Sequence, residues 1–154
     1  MTNLCCDVLK ALKGKKLATA ESCTGGGIGA AITAVPGASK VYVGGVVSYT
    51  NAVKHKVLGV EQAVLDKYGP VSAPVAGAMA SGVRELMEAD VAVSVTGLAG
   101  PGGDDFGNPV GTVCIGYADR RQRLAKQYRF YGDRDEIREQ AVRAALELVL
   151  EVNS

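Results

Sequence analysis

The chain of 154 residues has no tryptophan and only one histidine, His55. Serine hydrolase chemistry of the Ser-His-Asp kind would therefore rest on His55 alone. That residue follows Lys54 directly and belongs to a different, outward helix face. No apolar run reaches the ~18 residues that span a bilayer, so no membrane partner is expected. Neither sign of charge is in excess. Seventeen basic against 16 acidic residues leave a net charge of +1. A generalised polyanion-binding surface, and with it nucleic-acid binding, is not expected from that balance. The four cysteines, Cys5, Cys6, Cys23 and Cys114, lack C-x-x-C spacing. The N-terminus has no signal-peptide shape, since its lysines follow the apolar residues rather than precede them. Reduced thiols and a cytoplasmic location are the expectation. No recognised metal-ligand spacing occurs, so neither metal nor cofactor is expected.

What is present is an ordinary globular composition, 47% hydrophobic and 21% charged, of single-domain length. Glycine is abundant, with 20 residues, which suggests backbone packed closely against something. Leu4, Val8, Leu9 and Leu12 have helical spacing, and Gly14 closes them. Leu17 to Ala20 reads as a buried strand, Glu21 to Gly27 as a turn, and Ile28 to Val35 as a helix. Val41 to Tyr49 reads as a strand with Val41, Val43, Val47 and Tyr49 on one face. Asn51 is the expected N-cap of a short helix to Leu58, and a second short helix runs from Glu61 to Tyr68. Ser72 and Pro74 open a longer helix with a buried stripe of Val75, Met79, Val83 and Leu86. Strands are expected at 90–96, 110–118 and 124–131, the last two as a hairpin. Asp133 and Glu136 form a capping-box start to the final helix, whose apolar face is Ile137, Ala141, Ala144 and Leu148. Alternating strands and helices predict a single-domain α/β/α sandwich over residues 1–154, with a mixed, mostly parallel sheet.

Four segments carry polar chemistry where strands end. Ser22 follows the first strand, in Ala20-Glu-Ser-Cys-Thr-Gly-Gly-Gly27. Side chains there face the crevice at the strand C-termini, and N–H groups of the next helix can hold an anion or an oxyanion. Ser22 or Thr24 as a simple N-cap is the plain alternative. Lys54 falls in the first turn of a helix, where the dipole and partial burial favour a neutral amine that can accept a serine proton. The plain alternative is an exposed lysine. Thr96-Gly-Leu-Ala-Gly-Pro-Gly-Gly-Asp-Asp105 is a glycine-rich loop without the G-K-[ST] ending of a P-loop, so nucleotide triphosphate hydrolysis is not supported. Asp104 and Asp105 there either bind a hard cation or are merely solvated. Arg134 lies at a helix start, where the dipole does not favour a cation, so it either grips an anion or pairs with Asp133 or Asp135. Cys23 at a helix N-terminus lacks a base of its own.

The segments Ala20-Glu-Ser-Cys-Thr-Gly-Gly26, Val35-Pro-Gly-Ala-Ser39, Gly45-Val-Val-Ser-Tyr-Thr-Asn51, Leu58-Gly-Val60, Gly69-Pro-Val-Ser72, Thr96-Gly-Leu-Ala-Gly-Pro-Gly-Gly103, Pro109-Val-Gly-Thr-Val113 and Gly132-Asp-Arg134 occur in that order. Together they resemble the C-terminal domain of the competence/damage-inducible CinA family, over about residues 4 to 150. That family includes the stand-alone nicotinamide-nucleotide amidase. The resemblance implies hydrolysis of nicotinamide mononucleotide to nicotinate mononucleotide and ammonia, in pyridine-nucleotide recycling. It puts the nucleophile at Ser22, the base at Lys54 and an active-site tyrosine at Tyr49. Substrate contacts fall on Cys23, Thr24, Gly25, Gly26, Thr96, Gly97, Ala99, Gly100 and Arg134. Tyr49 is expected to orient Lys54 or relay a proton. A homodimer is expected by the general preference for two-fold symmetry. Two positions depart from the family pattern. Asn108 stands where lysine is common, and Ala52 where glutamate usually follows the asparagine. Asn108 favours the competing reading, a non-catalytic nucleotide-binding module of the same fold. A third reading is a partner protein acting through its surface.

Overall fold

The computed structural model describes all residues, Met1–Ser154. Five β-rich runs become strands: β1 (Leu17–Glu21), β2 (Tyr42–Val47), β3 (Val91–Gly97), β4 (Thr112–Ala118) and β5 (Arg123–Arg129). Six helices alternate with them: α1 (Thr2–Ala11), α2 (Gly27–Thr33), α3 (Asn51–Lys56), α4 (Gln62–Tyr68), α5 (Ala73–Leu86) and α6 (Arg134–Asn153). They form one sheet in the order β2-β1-β3-β4-β5. Strand β1 pairs in parallel with both β2 and β3, and β4 is antiparallel to both β3 and β5. The sheet is therefore mixed, with its parallel part around β1, as the sequence predicts.

Helices cover both faces. Val91, Val93 and Val95 of β3 and Ile115 and Tyr117 of β4 face a core shared with α1, α2 and α6. The opposite face is built differently. Ala18, Ala20, Ala92, Ser94 and Gly116 present small side chains, and α5 lies directly on them. A Cβ at Gly116 would stand 2.1 Å from the Ala76 carbonyl oxygen, and the buried Ser94 hydroxyl donates to that same carbonyl. Burial on both faces explains why the strands read as almost continuous apolar runs.

Three local expectations are corrected. Leu86 leaves the α5 stripe and is 52% exposed. The i, i+4 series Val75, Met79, Val83 continues instead to Met87, which packs on that core. Val41, Val43, Val47 and Tyr49 do not share one face: Val41 is buried before the strand begins, while the other three are exposed. The β1–β2 register slips between Leu17↔Tyr42 and Ala18↔Gly44, a bulge with Gly44 at φ +146°. One extra residue reverses the alternation, so Tyr42 packs with one core and Val46 with the other. Thr50, not Asn51, is the N-cap of α3, its hydroxyl accepting from Val53 N–H at 3.4 Å. The predicted capping box of α6 is present, between Asp133 and Glu136.

The connections fix where a ligand can sit. After β1 the chain crosses through α2 to β2 on one side. After β3 it turns to β4 on the other. Adjacent parallel strands whose continuations diverge leave a crevice beyond their C-termini. The ends of β1 and β3 are Glu21 and Gly97.

Candidate functional site

That crevice is a cavity of about 270 Å³ lined by Ser22, Cys23, Tyr49, Asn51, Lys54, Pro70, Val71, Thr96, Gly97, Leu98, Ala99, Gly100, Gly102 and Arg134. Nine of the twelve predicted site residues line it. Thr24, Gly25 and Gly26 do not. Thr24 is buried, and its hydroxyl donates to Glu21 Oε1 at 2.6 Å.

Ser22 and Lys54 meet at the bottom. The Lys54 ammonium nitrogen Nζ lies 3.1 Å from Ser22 Oγ, 2.8 Å from the Ser48 carbonyl oxygen and 3.4 Å from that of Tyr49. Lys54 is 1% exposed. Burial pushes its pKa down to about 8. Loss of water is the cause. The expected opposition of a first-turn lysine by the helix dipole does not apply, because Lys54 lies in the last turn of the six-residue α3. A neutral amine has two N–H bonds and one lone pair. Two main-chain carbonyls face it, so both N–H bonds are taken and the lone pair is left for the Ser22 hydroxyl. The side chain is held to accept that proton.

The turn after Ser22 is fixed from two directions. The buried carboxyl of Glu21 accepts from Ile28 N–H (2.8 Å) and Gly29 N–H (3.1 Å), in addition to Thr24. It therefore caps α2, a role the sequence had offered to Ser22 or Thr24. On the other side, Arg138 Nε donates to the Cys23 carbonyl (3.0 Å) and Nη2 to that of Thr24 (3.3 Å). Within the turn, Ser22 N–H bonds Val95, Gly25 N–H bonds Ser22, and Gly27 N–H bonds Thr24. The N–H groups of Cys23, Thr24 and Gly26 make no hydrogen bond to the protein. The expected donor set, Cys23 to Gly26, thus loses Gly25. Cys23 itself is buried, and burial lifts its thiol to about 11, so it stays protonated beside the serine.

The rim is polar. Arg134 donates to the Gly100 carbonyl, and its Nη2 lies 3.5 Å from the Tyr49 hydroxyl. It does not pair with Asp133 or Asp135; its neighbour Arg138 reaches Asp135 instead, at 3.8 Å. Tyr49 divides its roles: its carbonyl faces Lys54, while its ring is 61% exposed with the hydroxyl at the cavity mouth. The buried Thr96 hydroxyl donates to the Pro70 carbonyl at 2.7 Å, fixing the opposite wall. In the loop that follows, Asp104 accepts from Phe106 N–H and from Asn108 N–H and Nδ2. Partial burial opposes ionisation there, but these hydrogen bonds hold the carboxyl below its ordinary value. Asn108 also donates to the Val71 carbonyl at 3.3 Å and does not line the cavity. His55 is exposed, with Nδ1 2.7 Å from the Val60 carbonyl oxygen. No three His, Cys, Asp or Glu side chains come together as a metal cluster.

Sequence reasoning missed the parts played by Glu21 and Arg138. Glu21 was visible as an acid between a buried strand and the serine. Arg138 gave no such signal, because its partners lie 115 residues away along the chain.

A three-layer α/β domain with a buried Ser–Lys pair at the switch point of its sheet defines the class. The model of the CinA C-terminal domain matches residues 1–153, and the chain belongs to that family. A CinA-like protein of Synechococcus sp. is 54% identical over 107 residues, 70% of this chain and 26% of that protein. A putative competence-damage inducible protein of Caldanaerobacter subterraneus is 47% identical over 137 residues, 89% of this chain and 33% of that one. The chain thus spans about a third or less of these relatives. Among solved structures, the competence damage-inducible protein A of Klebsiella pneumoniae superposes with a TM-score of 0.95 at 38% identity, covering 97% of this chain and 94% of that one. The competence/damage inducible protein of Agrobacterium tumefaciens gives 0.94 at 40% identity, covering 99% and 95%. No helix is long and apolar enough to cross a membrane.

Proposed function

We propose that this domain hydrolyses the carboxamide of nicotinamide mononucleotide to nicotinate mononucleotide and ammonia. The observation that carries the reading is the 3.1 Å contact between Ser22 Oγ and a buried Lys54 whose pKa is pushed down to about 8. Lys54 takes the hydroxyl proton as Ser22 Oγ bonds to the carboxamide carbon. The free N–H of Cys23, which lines the crevice, meets the oxyanion first, and that of Thr24 follows it in the turn. The C–N bond breaks as the proton passes from Lys54 to the nitrogen, and ammonia leaves. Water, deprotonated by the same amine, then attacks the ester carbon; the C–Oγ bond breaks as Lys54 returns the proton to Ser22 Oγ, and the acid leaves.

The shape of the crevice supports a mononucleotide. Its ~270 Å³ lies just below the range of ligand pockets, about 300 to 1,000 Å³, which suits a small ligand that stays partly open to solvent. The amide belongs at the Ser22 end. The α2 N-terminus is occupied by the Glu21 carboxyl, so a phosphate is directed to the Gly97–Gly102 rim and Arg134. Tyr49 orients Lys54 through its carbonyl and Arg134 through its hydroxyl. Asn108 latches the loop to the Val71 carbonyl and does not line the crevice, so the side chain at this position offers no cation to a phosphate. The domain is proposed to act in the cytoplasm as a homodimer.

The test is ammonia release from nicotinamide mononucleotide by wild type, Ser22→Ala and Lys54→Ala. Release by wild type that is lost in both variants supports the reading. Unchanged turnover in purified Ser22→Ala refutes it.

A further inference from the structure

Beyond the serine and lysine, we propose that Arg138 is a positioning residue that aims the oxyanion-holding N–H groups of the nucleophile turn. The inference rests on the acyl-transfer reading of the crevice. Gly25 and Gly26 follow Ser22 with φ of +59° and +103°. Two successive glycines give this stretch many alternative conformations, and fixing one of them costs entropy. The free N–H groups of Cys23 and Thr24 need an external hold to face a developing oxyanion. Glu21 holds the Thr24 side chain and the start of α2, at Ile28 and Gly29, but no carbonyl of the turn. Arg138 alone among the side chains hydrogen-bonds carbonyls of the turn itself, at Cys23 and Thr24.

The geometry of the peptide unit makes this hold directional. In a planar trans peptide, C=O and N–H point opposite ways. Cys23 C=O and Thr24 N–H belong to one unit. With the carbonyl drawn to Arg138 on α6, Thr24 N–H is turned away from α6. A planar guanidinium grips both carbonyls at once, which a lysine amine on a flexible stem does not reproduce. Arg134, one helical turn earlier, reaches the rim of the crevice. The two arginines thus divide the work: Arg134 faces the cavity, and Arg138 braces its floor from behind.

A surface cavity lined by Thr24, Gly27, Asp135, Arg138 and Glu139 opens behind the turn. A small cation can therefore reach the place of the guanidinium, and chemical rescue is possible in Arg138→Ala. The experiment measures kcat and KM for ammonia release, and in parallel the rate at which a fluorophosphonate labels Ser22, read by intact mass. In labelling, the Ser22 Oγ–P bond forms, the P–F bond breaks, and fluoride leaves with the serine proton going to Lys54. This reaction needs the nucleophile and the oxyanion donors but not the right substrate.

Arg138→Met and Arg138→Lys are expected to lower kcat and labelling about a hundredfold, the scale of an ångström's misplacement at a reacting centre, with KM little changed. Guanidinium at tens of millimolar restores part of the rate in Arg138→Ala and nothing in wild type. Wild-type kcat and labelling in Arg138→Met overturn the proposal. So does a loss that tracks only the unfolded fraction and is not rescued by guanidinium. A wild type that releases no ammonia, but whose Ser22 labelling depends on Arg138, leaves this inference standing and removes the amidase. A folded wild type that neither labels nor turns over sinks both.

Discussion

The buried amine of Lys54 makes a quantitative statement about pH. At an ordinary lysine pKa of 10.5, about 0.03% of the side chain is neutral at pH 7; at about 8, it is roughly 9%. Burial thus raises the competent fraction about 300-fold. The rate should climb with pH as Lys54 loses its proton, roughly fivefold from pH 7 to 8 and less than twofold from pH 8 to 9. A substrate phosphate titrates near pH 6, so the window from 7 to 9 reports the enzyme. The sign for stability follows from proton linkage. The unfolded chain binds the lysine proton up to about pH 10.5 and the folded chain only to about 8, so stability should rise with pH between the two. Below pH 8 the burial penalty is fully present, about 3 kcal/mol. Lys54→Met removes that penalty but strips a donor from the buried Ser48 carbonyl, at a cost of roughly 1–3 kcal/mol, and a long, only partly buried contact from that of Tyr49, at little cost. At pH 7 the inactive variant should melt at the wild-type temperature or a few degrees above it. Any advantage should vanish by pH 10. The assays are kcat against pH and thermal melts of both proteins. A kcat flat from pH 7 to 9, or a Lys54→Met protein melting well below wild type at pH 7, would refute the reasoning.

Glu21→Gln should lower stability by about 2 kcal/mol, because one amide oxygen replaces a carboxyl that accepts from Thr24, Ile28 and Gly29; denaturant unfolding reads this, and an unchanged midpoint counts against the cap. Gly116→Ala should cost about 1–3 kcal/mol, since its Cβ would lie 2.1 Å from the Ala76 carbonyl oxygen and force α5 off the sheet; the same unfolding curve measures it. Tyr49→Phe should keep most of kcat and raise KM several-fold, because Lys54 is held by the Tyr49 carbonyl and only the Arg134 contact is lost; a kcat loss as deep as that of Lys54→Ala would give the phenol a proton-transfer role instead.

The architecture was largely legible because local signals agreed with one another. Glycines after α1 and α4, and the Asp133–Glu136 box before α6, punctuate the chain where the elements end and begin. Parity along β2 was not legible, since a bulge at Gly44 depends on pairing with β1 and no window of sequence contains both strands. Leu86 failed for a related reason. A helical stripe can close with i+3 or i+4, and only the neighbouring core selects Met87.

The site divides along the same line. Residues at strand ends are brought together by topology, so Ser22, Thr96 and Gly97 could be placed in one crevice before any contact was known. Lys54 is different. An expected place in the first turn of a helix suggested a neutral amine, but Lys54 falls in the last turn of α3, where the dipole gives no such push; the cause is enclosure, with Ser48, Tyr49 and Ser22 around the nitrogen. Enclosure is a tertiary property, and a lysine in a sequence does not reveal it. Glu21 and Arg138 sit still further from view, since neither lines the cavity and each acts by gripping main-chain atoms. What the sequence exposes is therefore the set of groups that line the crevice. What it conceals is the set that gives those groups their direction, and the flexibility of Gly25 and Gly26 makes the second set as necessary as the first.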